Sequence, residues 1–341
     1  MIQVTYFQRR AYDSAFSVER VFSSVRNSLP PGIQSKVRVS RFTSRGVLRR
    51  LYNAVEAAFR QSHINHITGD VHYLANFLRR EITVLTIHDC RSLHRLTGIR
   101  RQIVKLIWYT IPCRRTALIT TISDFTRSEL IACTGCSPEN IRVIPDPVDR
   151  DFTPSSHAFN QACPTLLFIG IGSNKNLERT VSALRGIPCR LRIVGQPTAA
   201  QRAALEANGI HFSAKARLSD DQVVAAYGSC DLLLFPSLYE GFGLPIIEAQ
   251  ATGRAVITSN LCSMPEVAGQ GAHFVDPLDV NSIREGVLKV IGDAPYRQRL
   301  IENGFRNVTR FSAETIAKQY VEIYEEIART ARGNSRYRPK A

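Results

Sequence analysis

A chain of 341 residues with 44% hydrophobic and 21% charged residues is long enough for two folded domains and too apolar for a disordered protein. Its eight cysteines are scattered, some beside apolar runs, which favours buried thiols in a reducing compartment over a disulfide framework. The formal net charge is +15, and most of the excess is arginine in residues 1–150. We therefore expect an anionic partner for the first half, with a generally basic proteome as the alternative explanation.

The first half of the chain is predicted to contain short buried strands. Residues 1–7 predict the first strand, and the apolar runs at 84–87, 117–122 and 141–144 predict three more. Ser123 follows one of these runs and is a predicted N-cap of the next helix.

No segment of this half reads as a membrane span. The most apolar short run, residues 103–112, covers about ten residues, whereas a spanning helix needs about twenty. Residues 1–7 lack the features of a secretory signal. We therefore expect a cytoplasmic protein, soluble or peripheral on the inner face of the plasma membrane. Arginine pairs beside leucine, isoleucine and aromatic residues favour an anionic membrane surface over nucleic acid, since no nucleic-acid-binding motif accompanies them.

The second half alternates strands and helices regularly. The predicted strands are 165–169, 191–194, 210–212, 231–235 and 255–258. The predicted helices are near 177–184, 199–207, 220–227 and 244–251, followed by an amphipathic helix at 312–330. This alternation predicts α/β architecture with two Rossmann-like, doubly wound domains facing each other across a cleft. Ligands of such sheets bind at the carboxyl ends of the strands.

The most informative segment follows the predicted strand at 231–235. Gly241 and Gly243 allow a tight turn and a close backbone approach to a ligand. Pro245 suits the first turn of a helix, whose N-terminus would bind an anion such as a diphosphate. Glu240 precedes the turn and Glu248 lies within the helix, where a carboxylate can accept hydrogen bonds from a ribose diol.

This segment resembles the retaining GT-B glycosyltransferases of family 4, in which two glutamates separated by seven residues lie within a longer pattern. The matching residues here are Pro236, Ser237, Glu240, Glu248, Ala249, Ala251, Gly253, Ser259, Pro265, Glu266, Val267, Gly269, Asp276 and Pro277. Shorter matches occur at residues 87–89, 121–123, 128–130, 142–145, 169–170, 175–178 and 193–195. Residues 1–80 match least.

The resemblance implies a GT-B fold with an acceptor-binding domain at residues 1–153 and a nucleotide-sugar-binding domain at 160–317. It also implies that a C-terminal helix, about 318–335, packs back on the first domain. By resemblance, Glu248 holds the donor ribose and Glu240 faces the donor sugar. The backbone at Phe242, Gly243 and Leu244 contacts sugar and phosphates, Gly170 and Lys175 bind the diphosphate, and His88 lies near the sugar and acceptor. Lys175 would neutralise the leaving group, the donor phosphate would help to take the acceptor proton, and no metal would be needed.

Three positions depart from the family pattern. Ile171 follows Gly170 where family members often carry arginine, so Lys175 is the expected cation of a short loop. Asp146 and Pro147 replace the usual Asn-Gly. Residues 7–13 replace an N-terminal glycine-rich loop.

Three short motifs fit other functions. Asp149 and Asp151 fit the Asp-x-Asp metal site of a second transferase architecture, and residues 170–175 partly mimic a dinucleotide-binding loop. Cys133 and Cys136 form the one C-x-x-C motif, without the further ligands of a structural zinc site. A GT-B-type sugar-nucleotide epimerase and a basic nucleic-acid-binding protein are the alternatives.

The sequence therefore predicts a retaining glycosyltransferase that transfers a hexose from a nucleotide sugar, with mannose from GDP-mannose as the candidate donor and UDP-sugars as the other option. The expected acceptor is a glycan or a lipid-linked saccharide of cell-surface polysaccharide synthesis. The expected partners are the donor, the acceptor and an anionic membrane surface, but no nucleic acid, and we expect no cofactor or metal.

Overall fold

The computed structural model describes residues 1–10 and 17–333. The chain divides into two compact units, one formed by Met1–Pro147 with Ala313–Ala341 and the other by Val148–Ser312. Residues 11–13 of the departure at 7–13, residues 334–335 of the expected returning helix, and the rest of the basic tail lie outside the described residues.

The described part of the first unit contains a parallel six-stranded sheet. Its strands are β1 (Ile2–Gln8), β2 (Ile33–Val39), β3 (Ile64–Ile67), β4 (Thr83–Ile87), β5 (Leu118–Thr121) and β6 (Ile141–Val143). The order is β2–β1–β3–β4–β5–β6, with registers such as Val4 opposite Ile64 and Val84 opposite Leu118. The order reverses between β1 and β3, where a doubly wound sheet leaves a crevice at the carboxyl ends of its strands.

Two strands of this sheet were not predicted. β2 lies at the edge of the sheet and carries mostly exposed side chains, so it lacks an apolar run. β3 is short and buries two polar residues, Asn65 and His66, through hydrogen bonds. Tertiary pairing therefore outweighs local pattern in both strands.

Among the described residues of this unit, six α-helices precede the second unit in the chain. They are α1 (Ser17–Asn27), α2 (Val47–Ala58), α3 (Arg91–Arg95), α4 (Gly98–Val104), α5 (Ile111–Arg114) and α6 (Asp124–Thr134). A π-helical segment, Lys105–Thr110, joins α4 to α5. The predicted N-cap is confirmed, because Ser123 accepts a hydrogen bond from the backbone N–H of Thr126.

The second unit contains another parallel six-stranded sheet. Its strands are β7 (Thr165–Ile169), β8 (Arg190–Val194), β9 (His211–Lys215), β10 (Leu232–Phe235), β11 (Ala255–Ser259) and β12 (His273–Val275). Its helices are α7 (Leu177–Leu184), α8 (Ala199–Ala207), α9 (Asp220–Gly228), α10 (Leu244–Ala251), α11 (Met264–Ala268), α12 (Val280–Gly292) and α13 (Ala294–Val308). The order β12–β11–β10–β7–β8–β9 is that of a doubly wound dinucleotide-binding fold, with its reversal between β7 and β10.

The final helix, α14 (Ala313–Gly333), packs on β1, β3 and α1 of the first unit. The Tyr324 hydroxyl lies 2.9 Å from the Tyr6 hydroxyl and 2.7 Å from Nδ1 of His66. Burial lowers the pKa of His66 to about 3, so this histidine is neutral in the network. The predicted return of the C-terminal helix to the first domain is thereby confirmed. No helix in the described ranges has the length and apolarity needed to cross a bilayer.

Candidate active site

The loop after β7 places a lysine at the reversal point of the second sheet. Gly170 has a φ of 88°, and its N–H donates to the carbonyl oxygen of Val194 on β8. A Cβ on Gly170 would lie 3.0 Å from Cε of Lys175, so the absence of a side chain allows the lysine stem to cross this residue. Gly170 and Lys175 therefore lie in contact, and their binding of a diphosphate stays a prediction.

Lys175 meets Glu240, which lies in the loop after β10. Nζ of Lys175 is 2.7 Å from Oε1 of Glu240, and the two side chains are 18% and 16% exposed. Nδ2 of Asn174 donates to the same carboxylate oxygen at 3.2 Å, and the lysine ammonium also lies 4.5 Å from the centre of the Phe235 ring. Two residues 65 positions apart thus form one partly buried ion pair between the strands where a doubly wound sheet binds its ligand.

Asn176 connects three loops of the site, a function that the sequence interpretation did not assign. Its φ of 63° is left-handed, a conformation that asparagine tolerates better than most residues, and it immediately precedes α7. Nδ2 donates to the carbonyl oxygens of Pro236 and Pro277 at 3.1 and 2.7 Å. The loops after β7, β10 and β12 are therefore held together beside the ion pair.

The predicted glycine turn and its helix are present. Gly243, with a φ of 105°, immediately precedes α10, and Pro245 lies in the first turn. Ser263, which is fully buried, places its hydroxyl 2.9 Å from the carbonyl oxygen of Glu240 and 2.8 Å from that of Phe242. This hydroxyl fixes the turn from outside and was also missed from the sequence. The contact of the backbone at 242–244 with a donor stays a prediction.

Glu248 lies in the second turn of α10 and is partly buried. Its Oε2 accepts a 2.6 Å hydrogen bond from the hydroxyl of Tyr227, a fully buried residue of α9. Burial, together with the neighbouring carboxylate, raises the pKa of Tyr227 well above its ordinary value, so the phenol keeps its proton and donates it. Tyr227 thus orients the carboxylate that the sequence assigned to the donor ribose.

Ile171, the first departure from the family pattern, makes apolar contacts and does not act as a phosphate ligand. Its Cγ2 lies 2.9 Å from the position that a Cβ of Gly195 would occupy, and the side chain packs on the apolar core of the second unit. The loop therefore presents hydrocarbon at this position, and Lys175 is the cation that contacts Glu240.

His88, the predicted site residue of the first unit, follows β4. Its Nε2 lies 3.1 Å from the carbonyl oxygen of Thr68, and its Nδ1 lies 4.0 Å from Oδ2 of Asp146. Asp146 is almost fully buried, and burial raises its pKa to about 6, while the nearby His88 acts in the opposite direction. The second departure from the family pattern is therefore in contact with a predicted site residue.

The residues of the candidate metal and redox motifs make contacts with neighbouring groups. The backbone N–H of Asp151 donates to Oδ1 of Asp149 within one turn. Cys136 interacts with Cys113 rather than with Cys133, and the hydrogen bond between the two thiols lowers the pKa of Cys136 to about 6. In residues 1–10 and 17–333, no three His, Cys, Asp or Glu side chains are grouped to hold a metal ion.

Two family models match the chain in succession. Residues 2–152 match the model described as Glycosyltransferase Family 4, and residues 149–307 match the model described as Glycosyl transferases group 1. Together they span both sheets.

Known proteins give the same result. The chain is 26% identical to O-antigen chain mannosyltransferase B of Escherichia coli over 75% of its own length and 73% of that protein. It is 30% identical to the MMP alpha-(1->4)-mannosyltransferase of Mycolicibacterium hassiacum over 62% of its length, and spans about half (55%) of that relative. HepE of Anabaena, solved with UDP and glucose, has the same fold, with a TM-score of 0.79 at 14% identity over 96% of this chain and all of HepE.

The E. coli and M. hassiacum relatives are named as mannosyltransferases, which are hexosyltransferases, and they support neither the epimerase nor the nucleic-acid-binding alternative. The two doubly wound units of the chain agree with the fold of HepE. The chain therefore belongs to the group 1 glycosyltransferases of family 4 and is a glycosyltransferase with the GT-B fold.

Proposed function

We propose that this enzyme transfers mannose from GDP-mannose, with retention of the anomeric configuration, to a glycan or lipid-linked saccharide of a cell-surface polysaccharide. The choice of sugar is supported by the two mannosyltransferase relatives, one of which is named for O-antigen chains. The choice of a nucleoside diphosphate is supported by the complex of HepE with UDP.

The observation that carries the proposal is the ion pair of Lys175 and Glu240 at the carboxyl ends of β7 and β10. A diphosphate that enters this site meets an ammonium group already held in place, and the N-terminus of α10 adds oriented N–H groups. As the glycosidic bond breaks, negative charge develops on the leaving diphosphate, and Lys175 stabilises it without moving far. Glu240 keeps the lysine oriented and is proposed to face the donor sugar.

Glu248 is assigned to the ribose hydroxyls, with Tyr227 holding one carboxylate oxygen. The remaining hydrogen-bonding capacity of the carboxylate suits two adjacent hydroxyl groups. We propose that transfer needs no metal ion, because a lysine and a helix N-terminus supply the positive charge that a metal supplies in other transferases. Unchanged turnover in EDTA would agree with this proposal, and loss of turnover would contradict it.

The first prediction concerns donor binding, measured by calorimetry with UDP-, GDP-, ADP- and dTDP-sugars. We expect one guanosine or uridine diphosphate sugar to bind best, and Glu248→Ala to weaken its binding about 100-fold, since two charge-assisted hydrogen bonds are lost. Tyr227→Phe is the matched control, which removes only the orienting hydroxyl and should weaken binding less. Binding of none of these sugars, or binding unaffected by Glu248→Ala, would contradict the proposed function.

We also propose that the first unit lies on an anionic membrane surface. The proposed membrane face comprises α2 and the helical stretch from residue 98 to residue 114. Val47 and Leu48 of α2 are 76% and 82% exposed, and Ile99 at the start of α4 is 74% exposed. Exposed apolar side chains on neighbouring helices are typical of surfaces that meet a partner or a membrane.

Two observations favour a lipid surface as the occupant of this face. The Arg50 guanidinium lies 4.6 Å from the Trp108 ring, which joins α2 to the second helical stretch as one surface. Between residues 98 and 115 the chain carries five basic residues and no acidic one: Arg100, Arg101, Lys105, Arg114 and Arg115. Apolar side chains next to clustered cations fit anionic head groups above an acyl layer.

The second prediction tests this face by co-sedimentation with lipid vesicles. We expect binding to vesicles that contain anionic lipid, weaker binding to zwitterionic ones, and a loss of about ten-fold or more in Leu48→Ser/Ile99→Ser. Leu278→Ser is the matched control, because Leu278 is 60% exposed in the second unit. Equal binding of all variants, or binding insensitive to anionic lipid, would exclude this surface.

A further inference from the structure

Arg254 is a buried cation that binds backbone carbonyl groups at the C-terminal end of α9. It follows α10 in the chain and is 4% exposed. Its Nε donates to the carbonyl oxygen of Tyr227 at 2.9 Å, and its Nη2 donates to that of Gly228 at 2.7 Å. The last carbonyl groups of a helix have no partner within the helix, and the helix dipole favours a cation at this end. Arg254 therefore closes the end of α9.

The same residue also contacts α10 and a third segment. Its backbone N–H donates to the carbonyl oxygen of Ala249 on α10 at 2.8 Å. Its Nη1 and Nη2 donate to the carbonyl oxygen and the hydroxyl of Ser155 at 3.2 and 2.6 Å. The planar fork of an arginine can direct several hydrogen bonds at once, whereas lysine presents a single point charge. Arg254 thus joins α9, α10 and the segment around residue 155 within the second unit.

The two helices that Arg254 joins carry the two partners of one hydrogen bond in the candidate site. Tyr227 lies in the last turn of α9, and its hydroxyl donates to Oε2 of Glu248 on α10 at 2.6 Å. The Tyr227 ring is fully buried and packs edge-to-face on Phe152, with 5.4 Å between the ring centres. Because side chains in a close-packed interior have little room to adjust, the hydroxyl follows any shift of α9 relative to α10. The orientation of the Glu248 carboxylate therefore depends on the spacing of these helices.

We propose that Arg254 is a positioning residue of the donor site, which fixes the spacing of α9 and α10 so that Tyr227 holds the Glu248 carboxylate in the orientation that a ribose diol requires. The proposal rests on the proposed function, because it takes Glu248 as the ribose ligand. A misdirected carboxylate loses the hydrogen bonds of the diol, while the groups assigned to the diphosphate are unchanged. Loss of Arg254 should therefore weaken the recognition of ribose more than the binding of the diphosphate.

The third prediction is the effect of Arg254→Lys on ribose recognition, measured by calorimetry with GDP, UDP and their 2′-deoxy forms. We expect the wild type to bind the better of the two ribonucleotides about ten-fold more tightly than its 2′-deoxy form, since one hydrogen bond to a carboxylate is lost. In Arg254→Lys this ratio should fall close to one, because lysine keeps the charge but cannot join the three segments. The affinity for the 2′-deoxy form should change much less than the affinity for the ribonucleotide.

Arg297→Lys is the matched control. Arg297 is also buried, at 8% exposed, and donates to the carbonyl oxygens of Val290 and Ile291 at 2.8 and 2.9 Å, at the end of α12. Neither α12 nor α13, which carries Arg297, contains a predicted site residue. The control should lower the free energy of unfolding in urea, as Arg254→Lys does, and leave the ribose ratio unchanged. An equal fall of the ratio in both variants would overturn the proposal, because it would report a general loosening of the unit.

Two further variants test the route through Tyr227. Ser155→Ala should fold, because Ser155 is exposed and loses only the hydroxyl that Nη2 of Arg254 binds, and it should lower the ribose ratio by a smaller amount. In a Tyr227→Phe background, Arg254→Lys should cause no further fall, because the group through which it acts is gone. A full additional fall would contradict the coupling through Tyr227.

A spectroscopic measurement separates failure of this inference from failure of the proposed function. The buried hydroxyl proton of Tyr227 should give a downfield NMR signal that Tyr227→Phe removes. Arg254→Lys should shift this signal or broaden it by exchange with water, and Arg297→Lys should not. If both the signal and the ribose ratio stay unchanged in Arg254→Lys, the inference is wrong. If the wild type binds no nucleotide, the proposed function fails, and the NMR signal still decides whether Arg254 positions Tyr227.

Discussion

Replacing Lys175 with methionine should lower kcat about 100- to 1000-fold, the loss typical when a preorganised charge is removed from a developing anion. Methionine keeps a stem of similar length over Gly170 and Phe235, so the loop should keep its shape. The affinity for the donor should fall much less than kcat, because the charge on the diphosphate increases as the bond breaks. The measurement is kcat at saturating donor, beside the dissociation constant from calorimetry.

Lys175→Arg is the control for charge. It keeps the cation but has a planar fork instead of a point charge, so we expect partial activity. If methionine lowers only donor affinity and leaves kcat unchanged, Lys175 binds the ground state without stabilising the leaving group. Glu240→Gln tests the partner, since Lys175 loses its anionic contact at 2.7 Å while the side-chain size is preserved.

Asn176→Ala should destabilise the protein by about 2–4 kcal/mol, measured by urea unfolding. Two carbonyl oxygens, those of Pro236 and Pro277, lose their donors, and alanine must adopt a left-handed backbone. Asn176→Gly removes the same hydrogen bonds without the backbone strain, so its loss should be smaller by about 1 kcal/mol.

Asn176→Asp completes the series. It keeps the shape but has no N–H to donate, and it places a carboxylate against two carbonyl oxygens, so it should be the most damaging of the three. Donor affinity should fall with stability across the series, because Asn176 holds the loops that carry Lys175 and Glu240. If all three variants were as stable as the wild type, the loops would hold together without this side chain.

The sequence alone predicted most of the second unit. The bounds of β7, α7, α8 and α10 are the predicted ones, because each element buries apolar residues at the spacing of a strand or a helix and is bounded by polar residues, glycine or proline. The glycine turn was equally readable, since Gly243 can adopt the left-handed backbone that the turn needs and the fixed φ of Pro245 suits the first turn of a helix. Local chemistry decides these features.

The sequence did not reveal the side chains that hold the site together. Asn176 bonds to a carbonyl 101 residues away, Tyr227 to a carboxylate 21 residues away, and Ser263 to backbone 21 and 23 residues away. No local periodicity marks such contacts, because they exist only once the strands are ordered side by side. β2 and β3 were missed for the same reason, as one is an exposed edge and the other buries polar groups.

The two units differ in how they are encoded. The second runs without interruption from Val148 to Ser312, whereas the first resumes after it with α14. Every predicted donor-binding residue, from Gly170 to Glu248, lies in that uninterrupted stretch. A genetic exchange with two crossovers, one on each side of this stretch, could therefore replace the whole second unit in a single event. The first unit cannot be moved in this way, because its last helix is encoded after that stretch.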